Sequence, residues 1–167
     1  MFTLKPISSG AVPAALEKAE RYRLLNEPEE AESICLDVLA VDPANQTALV
    51  MLLLALTDQF RTDHGHCVRQ ALEVLPRLGG EYERHYYAGI IWERRANARL
   101  AQGGPGSGAV AFEWLRKAMD CYERAEGLRP PGNDDALLRW NTCVRLAQRH
   151  QLAPEPEEQF QPALEDY

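Results

Sequence analysis

The sequence lacks the patterns that mark the common classes of enzyme and metalloprotein. Its four cysteines are scattered, with no Cys-x-x-Cys pair, and its glycine run at residues 103–108 lacks a Gly-Lys-Ser/Thr ending. These absences disfavour a disulfide framework, a zinc ribbon and a phosphate-binding loop. Sequence neighbours also provide no Ser–His or Cys–His nucleophile pair and no carboxylate pair beside an apolar segment. We therefore expect a protein that is not an enzyme and that needs no cofactor.

Positive charge and long apolar runs are also scarce. The 167 residues include 18 Lys and Arg against 25 Asp and Glu, a formal net charge of −7 at pH 7. This balance disfavours a nucleic-acid partner held through its phosphates. The longest apolar run, residues 48–56, is too short to span a bilayer, and residues 1–13 have no apolar stretch typical of a signal peptide. We expect a cytoplasmic protein without nucleic-acid or membrane partners.

A helical stripe is the clearest feature that the sequence does have. Ala118, Tyr122 and Ala125 recur at i, i+4 and i+7, which places them on one face of a helix. Pro130 then ends the helix, because proline lacks the N–H group and restricts the residue before it. The same spacing appears in residues 31–43, so the pattern indicates a helical repeat.

Periodicity and corner residues predict about seven helices and no strands. The predicted helices cover approximately residues 13–25, 29–41, 47–60, 67–74, 81–102, 109–128 and 134–150. Short corners between them favour antiparallel pairs. Residues 1–12 are predicted to be an irregular lead-in, residues 13–152 the helical repeat domain, and residues 153–167 an acidic, proline-rich tail.

This pattern resembles the tetratricopeptide repeat (TPR), a helix–turn–helix of 34 residues. Residues 12–45 match a first repeat, residues 46–81 a weaker second, and a third begins at Tyr82 with about 17 additional residues. The matching positions are Ala19, Tyr22, Ala31, Cys35, Val38, Pro43, Leu49, Leu52, Cys67, Ala71, Val74, Gly89, Trp92, Ala118, Tyr122, Ala125 and Pro130. The resemblance implies an all-α, antiparallel helix-hairpin α-solenoid with an elongated third hairpin and a closing helix.

The resemblance also implies a function. TPR proteins mostly bind a partner protein or peptide in a concave groove lined by the first helix of each pair. The corresponding positions here are Leu16, Glu20, Arg23, Val50, Leu54, Thr57, Asp58, Glu83, Tyr86, Ile90, Glu93 and Arg94. Asn97 and Arg139 are added as basic or hydrogen-bonding positions, and Trp140 as an interface anchor, since Trp often dominates interface energetics. We expect a non-catalytic adaptor.

Several alternatives stay open. The alternative function is a structural or assembly subunit that is permanently buried in a larger complex, and a homodimer is compatible with so short an array. Residues 93–99 suit either partner binding or a solvated helix face. Asp135 and Arg139 have the spacing of an ion pair along a helix. His64, His66 and Cys67 offer metal ligands, but a corner loop that contains histidines is the better-supported interpretation.

Overall fold

Seven α-helices build the part of the chain that the computed structural model describes, residues 1–63 and 65–156. They are α1 (Val12–Leu24), α2 (Pro28–Val41), α3 (Gln46–Asp58), α4 (His66–Val74), α5 (Glu81–Gln102), α6 (Ser107–Leu128) and α7 (Asp135–Arg149). Short 3-10 turns at Ser9–Ala11 and Leu75–Arg77 adjoin α1 and α4. No strand occurs in the described residues, so the prediction of an all-α fold with about seven helices is confirmed.

The helices pack in chain order as antiparallel hairpins. Each helix packs mainly against the helices that precede and follow it, and α3 also contacts both α1 and α5 directly. Contacts confined to chain neighbours are typical of an α-solenoid, in which each hairpin buries its apolar face against the next. The predicted hairpin solenoid is therefore confirmed. The direct contacts of α3 with α1 and α5 place these first helices of the hairpins in one layer.

The first of two hydrophobic cores lies among α1 to α4 and includes Ile91 and Ala98 of α5. Ala31, Cys35 and Val38 are completely buried there, as the stripe in residues 31–43 predicts. The helix α3 is apolar nearly all round and is buried on most of its surface, which is expected of a helix between two neighbours. The side chain of Asn45 begins this helix by accepting a hydrogen bond from the Ala48 N–H at 2.9 Å.

The second core lies among α5, α6 and α7. Ala118, Tyr122 and Ala125 are fully buried in it, so the stripe predicted from the sequence is confirmed. The Tyr122 ring packs directly on the backbone at Gly89, where an added Cβ would lie 2.4 Å from its Cε1 atom. A residue without a side chain is therefore required for α5 to approach α6 at this point.

The third hairpin is elongated, as predicted. Its helices α5 and α6 each contain 22 residues, whereas α1 to α4 contain between 9 and 14. Gly103, Gly104 and Gly106 join the two helices with φ angles of 68°, 88° and 72°, which lie in the left-handed region that glycine adopts without strain. The glycine run is thus a tight reversal between two helices.

Three of the four cysteines are buried, and Cys121 is half-buried. Burial raises the pKa of the Cys35 and Cys143 thiols to about 12, because a thiolate loses its hydration in an apolar core. Within the described residues, no helix combines the length and apolar character needed to cross a bilayer. Most of the predicted tail, residues 157–167, lies outside the described residues.

Candidate partner-binding groove

A cleft of about 640 Å³ opens at the carboxyl-terminal ends of α1 and α3, beside the middle of α5 and the first half of α7. Its lining is mostly polar and consists of Arg23, Leu24, Asn26, Thr57, Asp58, Phe60, Arg61, Glu93, Arg94, Asn97 and Arg139. Seven of the fifteen residues predicted to contact a partner line this one cleft. They are Arg23, Thr57, Asp58, Glu93, Arg94, Asn97 and Arg139.

Asp58 is the centre of the first ion-pair group in this cleft. Its Oδ2 atom lies 2.6 Å from Arg23 Nε, and its Oδ1 atom accepts a hydrogen bond from Arg94 Nη1 at 3.2 Å. Arg23 is on α1, Asp58 on α3 and Arg94 on α5. One carboxylate therefore connects the first helices of three successive hairpins.

Glu93 is the centre of the second group and is almost completely buried, with 3% of its surface exposed. Its Oε2 atom accepts a hydrogen bond from the Tyr122 hydroxyl at 2.6 Å, and its Oε1 atom accepts one from Arg139 Nη1 at 3.2 Å. A buried carboxylate is tolerated when its oxygens are paired and hydrogen-bonded in this way. The group joins α5, α6 and α7.

These contacts change the proton affinities of both partners of Glu93. Burial, and then the negative charge of Glu93, raise the pKa of the Tyr122 phenol well above its ordinary value. Burial by itself lowers the pKa of the Arg139 guanidinium, but the charge of Glu93, together with a hydrogen bond to Tyr86 and the neighbouring phenols of Tyr122 and Tyr86, outweighs this effect and the pKa rises. The predicted pair between Asp135 and Arg139 is wrong, because Arg139 pairs with Glu93 across the helix interface.

The cleft is positively charged although the whole chain is acidic. Four arginines line it and only two acids do, so two positive charges remain after each acid is matched with one arginine. The chain as a whole has a formal net charge of −7. Arg61 is exposed and makes no ion pair with any residue that the structure describes. An anionic group entering the cleft would meet unmatched positive charge.

The other predicted positions lie outside this cleft. Leu16, Val50, Leu54 and Tyr86 are half-buried, and Glu20 and Glu83 are exposed. All six precede the cleft residues along the same helices, α1, α3 and α5. Ile90 is 1% exposed and belongs to the second core, so it lies beneath the surface. These residues do not gather into one site with the arginines.

Trp140 also lies apart from the cleft. It lines a separate depression of about 160 Å³ between α6 and α7, together with Glu123, Glu126, Leu137 and Asn141. Although Trp140 follows Arg139 directly in sequence, one helical step of 100° points the two side chains to different sides of α7. The structure therefore separates two residues that the sequence suggested as a pair of interface contacts.

Some lining residues were not predicted from the sequence. Leu24 is the last residue of α1, and Asn26, Phe60 and Arg61 lie in the corners that follow α1 and α3, positions that the predicted groove of the first helices does not include. A signal for them exists, because the corners of successive hairpins lie at the same end of a solenoid. Adding the corner residues to the positions on the first helices would have included them.

Residues 93–99 present two different faces. The Asn97 amide donates a hydrogen bond to the Glu93 carbonyl oxygen at 3.2 Å, and both residues line the cleft. Arg95 lies on another face, with its guanidinium carbon 4.1 Å from the centre of the Trp114 ring. Arg95 therefore contributes a cation–π contact within the third hairpin and no charge to the cleft.

The described residues contain no group of three or more His, Cys, Asp or Glu side chains that is arranged to hold a metal ion. Of the three predicted alternative ligands, His66 is exposed, Cys67 is buried and His64 lies outside the described residues. Burial and nearby acids raise the pKa of the Cys67 thiol to about 11. Comparison of the chain with known protein families, with curated proteins and with solved structures finds no match.

Proposed function

We propose that this protein is a non-catalytic, cytoplasmic adaptor that binds a segment of a partner protein in its concave cleft, in the manner of a tetratricopeptide repeat. The observation that carries the proposal is the convergence of α1, α3, α5 and α7 on one cleft of about 640 Å³. A surface built by several repeats at once is the usual binding surface of solenoid proteins.

The chemistry of the lining supports recognition of a polar segment. Arginine provides five donors in a planar fork, and the side-chain amides of Asn26 and Asn97 both donate and accept hydrogen bonds. Leu24, at the edge of the cleft, is 77% exposed and offers an apolar contact beside the charged ones. A polar centre with one apolar contact at its edge suits an extended peptide better than a compact apolar ligand.

Affinity capture from a lysate of the source organism tests the proposal. The tagged full chain is compared with Arg61→Ala and Arg94→Ala, which each remove one arginine from the cleft. The matched control is Arg116→Ala, because Arg116 is exposed on α6 and pairs only with Glu113, at 3.8 Å, among the described residues. We expect the same companion protein with the wild type and the control, and at least about tenfold less of it with both cleft variants. Equal recovery with all four proteins contradicts the proposal.

A permanent structural or assembly subunit is the second candidate. Large apolar side chains are exposed near both ends of the array: Leu25 at the end of α1 is 62% exposed and Leu138 on α7 is 63% exposed. Exposed apolar side chains of this size suit a surface that is covered in an assembly or in a homodimer. One stoichiometric companion that survives a high-salt wash and depends on Leu138 supports this candidate. Several substoichiometric companions that are lost in high salt support the adaptor.

A further inference from the structure

We propose that the cleft selects an acidic segment of the partner, and that Asp58 competes with this segment for the arginines inside the free protein. The inference rests on the proposed function, because it specifies what the same cleft binds. It also assigns a regulatory role to one carboxylate that is not itself a contact of the partner.

The charge of the cleft is complementary to that of an acidic segment. The cleft has four guanidinium groups and two carboxylates, and the surplus of two positive charges lies within a chain of net charge −7. A cleft with surplus positive charge attracts a short acidic segment, whereas the net negative charge of the chain as a whole disfavours anions. Long polyanions such as nucleic acids meet the acidic surroundings as well, so the surplus favours a short acidic peptide.

The arginines that bind Asp58 remain accessible to a partner. The side chains of Arg23 and Arg94 are 22% and 31% exposed, so both remain reachable while they are bound to Asp58. Arg94 contacts Asp58 through only one of its nitrogens, Nη1. A guanidinium has five donors, and therefore Arg94 has the capacity to bind a second carboxylate.

The two acids of the cleft, Glu93 and Asp58, differ in their burial and in their partners. Glu93 is 3% exposed and has the Tyr122 hydroxyl as a partner in addition to Arg139, so its removal from Arg139 would leave a buried charge with half of its contacts. Asp58 is 16% exposed, and arginines are its side-chain partners among the described residues. Asp58 is thus the carboxylate that an incoming acid replaces, whereas Glu93 holds the helices together.

If Asp58 competes with the peptide for the arginines, removing its charge should strengthen peptide binding, whereas removing a purely structural carboxylate should not. Replacing Asp58 with the isosteric Asn removes the competing charge and leaves Arg23 and Arg94 without their internal counter-ion. Asp58→Asn should therefore bind an acidic peptide more tightly than the wild type, even though it loses an ion pair. Arg94→Gln and Arg61→Gln should bind it more weakly, because each removes one positive charge from the cleft.

The test measures fluorescence anisotropy of a fluorescein-labelled hexaglutamate peptide on the full-length chain, with hexaglutamine as the uncharged probe. We expect the protein to bind hexaglutamate and not hexaglutamine. The affinity for hexaglutamate should fall as the salt concentration rises from about 50 to about 300 mM. We expect Asp58→Asn to lower the dissociation constant about fivefold, and Arg61→Gln and Arg94→Gln each to raise it about fivefold. The control Arg116→Gln should bind as the wild type does. Far-UV circular dichroism verifies that each variant is helical, and Asp58→Ser replaces Asp58→Asn if the latter does not fold.

Four results overturn the inference. Equal binding of hexaglutamine shows that charge is not recognised, and equally tight binding of a labelled single-stranded oligonucleotide shows that acidic peptides are not selected. Weaker binding by a folded Asp58→Asn shows that Asp58 supports the site and does not compete for it. If hexaglutamate fails to bind while capture of a companion protein still depends on Arg61 and Arg94, the inference fails and the proposed adaptor function stands.

Discussion

The two halves of the solenoid are stabilised in different ways. In the first half, α1 to α4, the core is built from aliphatic side chains, alanines, cysteines and Phe60, with Ile91 and Ala98 of α5 packed against it, and no charged side chain is fully buried in it. In the second half, α5 to α7, the core includes the paired carboxylate of Glu93 and the hydroxyl of Tyr122. Glu93 is the one charged side chain that is fully buried among the described residues.

The apolar core of the first half contributes mainly to stability, whereas the buried carboxylate of the second half also fixes how its helices are aligned. Apolar burial is non-directional, so it stabilises the first half without requiring one exact alignment of its helices. A buried carboxylate is tolerated only with its partners in place, and it therefore fixes the register of α7 against the long hairpin. The second half has longer helices and hence more ways to slide past one another, which makes a directional contact useful there.

The largest difference between the halves should appear when one large core side chain is truncated in each. Tyr122→Ala creates a cavity and also removes the hydroxyl that donates to Glu93, whereas Leu53→Ala in α3 only creates a cavity. We expect a loss of about 5 kcal/mol in the free energy of unfolding for Tyr122→Ala and about 3 kcal/mol for Leu53→Ala. Urea denaturation followed by circular dichroism measures both. Equal losses would mean that the polar contact adds nothing.

A glycine substitution tests how closely α5 and α6 must approach. Gly89→Ala places a methyl group 2.4 Å from the Tyr122 ring, so we expect a net loss of about 2 kcal/mol despite the better helix propensity of alanine. The matched control is Gly127→Ala on α6, where an added Cβ meets no atom within 4 Å. This control should gain about 0.5 kcal/mol. Thermal denaturation of both variants distinguishes crowding from propensity, and a gain at Gly89 would refute the close approach.

Alkaline pH should destabilise both halves to a similar extent. The thiols of Cys35 and Cys143 have pKa values raised from 9.0 to about 12 by burial, so the folded state retains protons that the unfolded state releases. Their contribution is fully present below pH 9 and declines as pH rises from about 9 to 12, by about 1 kcal/mol for each thiol at pH 10. Urea titrations near pH 8 and pH 10 measure the loss. Cys35→Ala or Cys143→Ala should each reduce it, and an unchanged loss would contradict the assignment.

The smallest effect concerns the start of α3. Asn45→Ala removes the side chain that accepts from the Ala48 N–H, and we expect a loss of about 0.5 kcal/mol because Asn45 is half-exposed. Thr47, two residues further along the chain, is exposed inside the helix and serves as the control. Thr47→Ala should leave the unfolding free energy nearly unchanged. A larger loss at Thr47 than at Asn45 would show that the cap is misassigned.

The sequence was sufficient for the features that depend on local periodicity. The buried stripe of Ala118, Tyr122 and Ala125 and the elongated third hairpin both follow from spacing and residue type, and the structure confirms them. These features are predictable because a helix of 3.6 residues per turn converts sequence spacing directly into a common face. Seven of the groove positions also converge on one cleft.

The pairing of charged residues was not predictable in the same way. Glu93 binds Tyr122 and Arg139, which are 29 and 46 residues away, and no local pattern encodes such distances. Local reasoning instead pairs Arg139 with Asp135, four residues before it. One signal was present, since Glu93 falls on the same stripe as Gly89 and Ala96, both of which are buried. An acid on an otherwise apolar stripe indicates a buried partner that the sequence cannot name.

The shared carboxylate of Asp58 has a consequence for how the array unfolds. A solenoid held only by contacts between neighbouring units tends to fray stepwise from its ends. Here Arg23 and Arg94 bind the same carboxylate, so the interface of α1 with α3 and the interface of α3 with α5 are energetically linked. Release of α1 changes the electrostatic environment of Arg94 two hairpins away. We therefore expect α1 to open independently less often than an end helix that is held only by contacts with its neighbour.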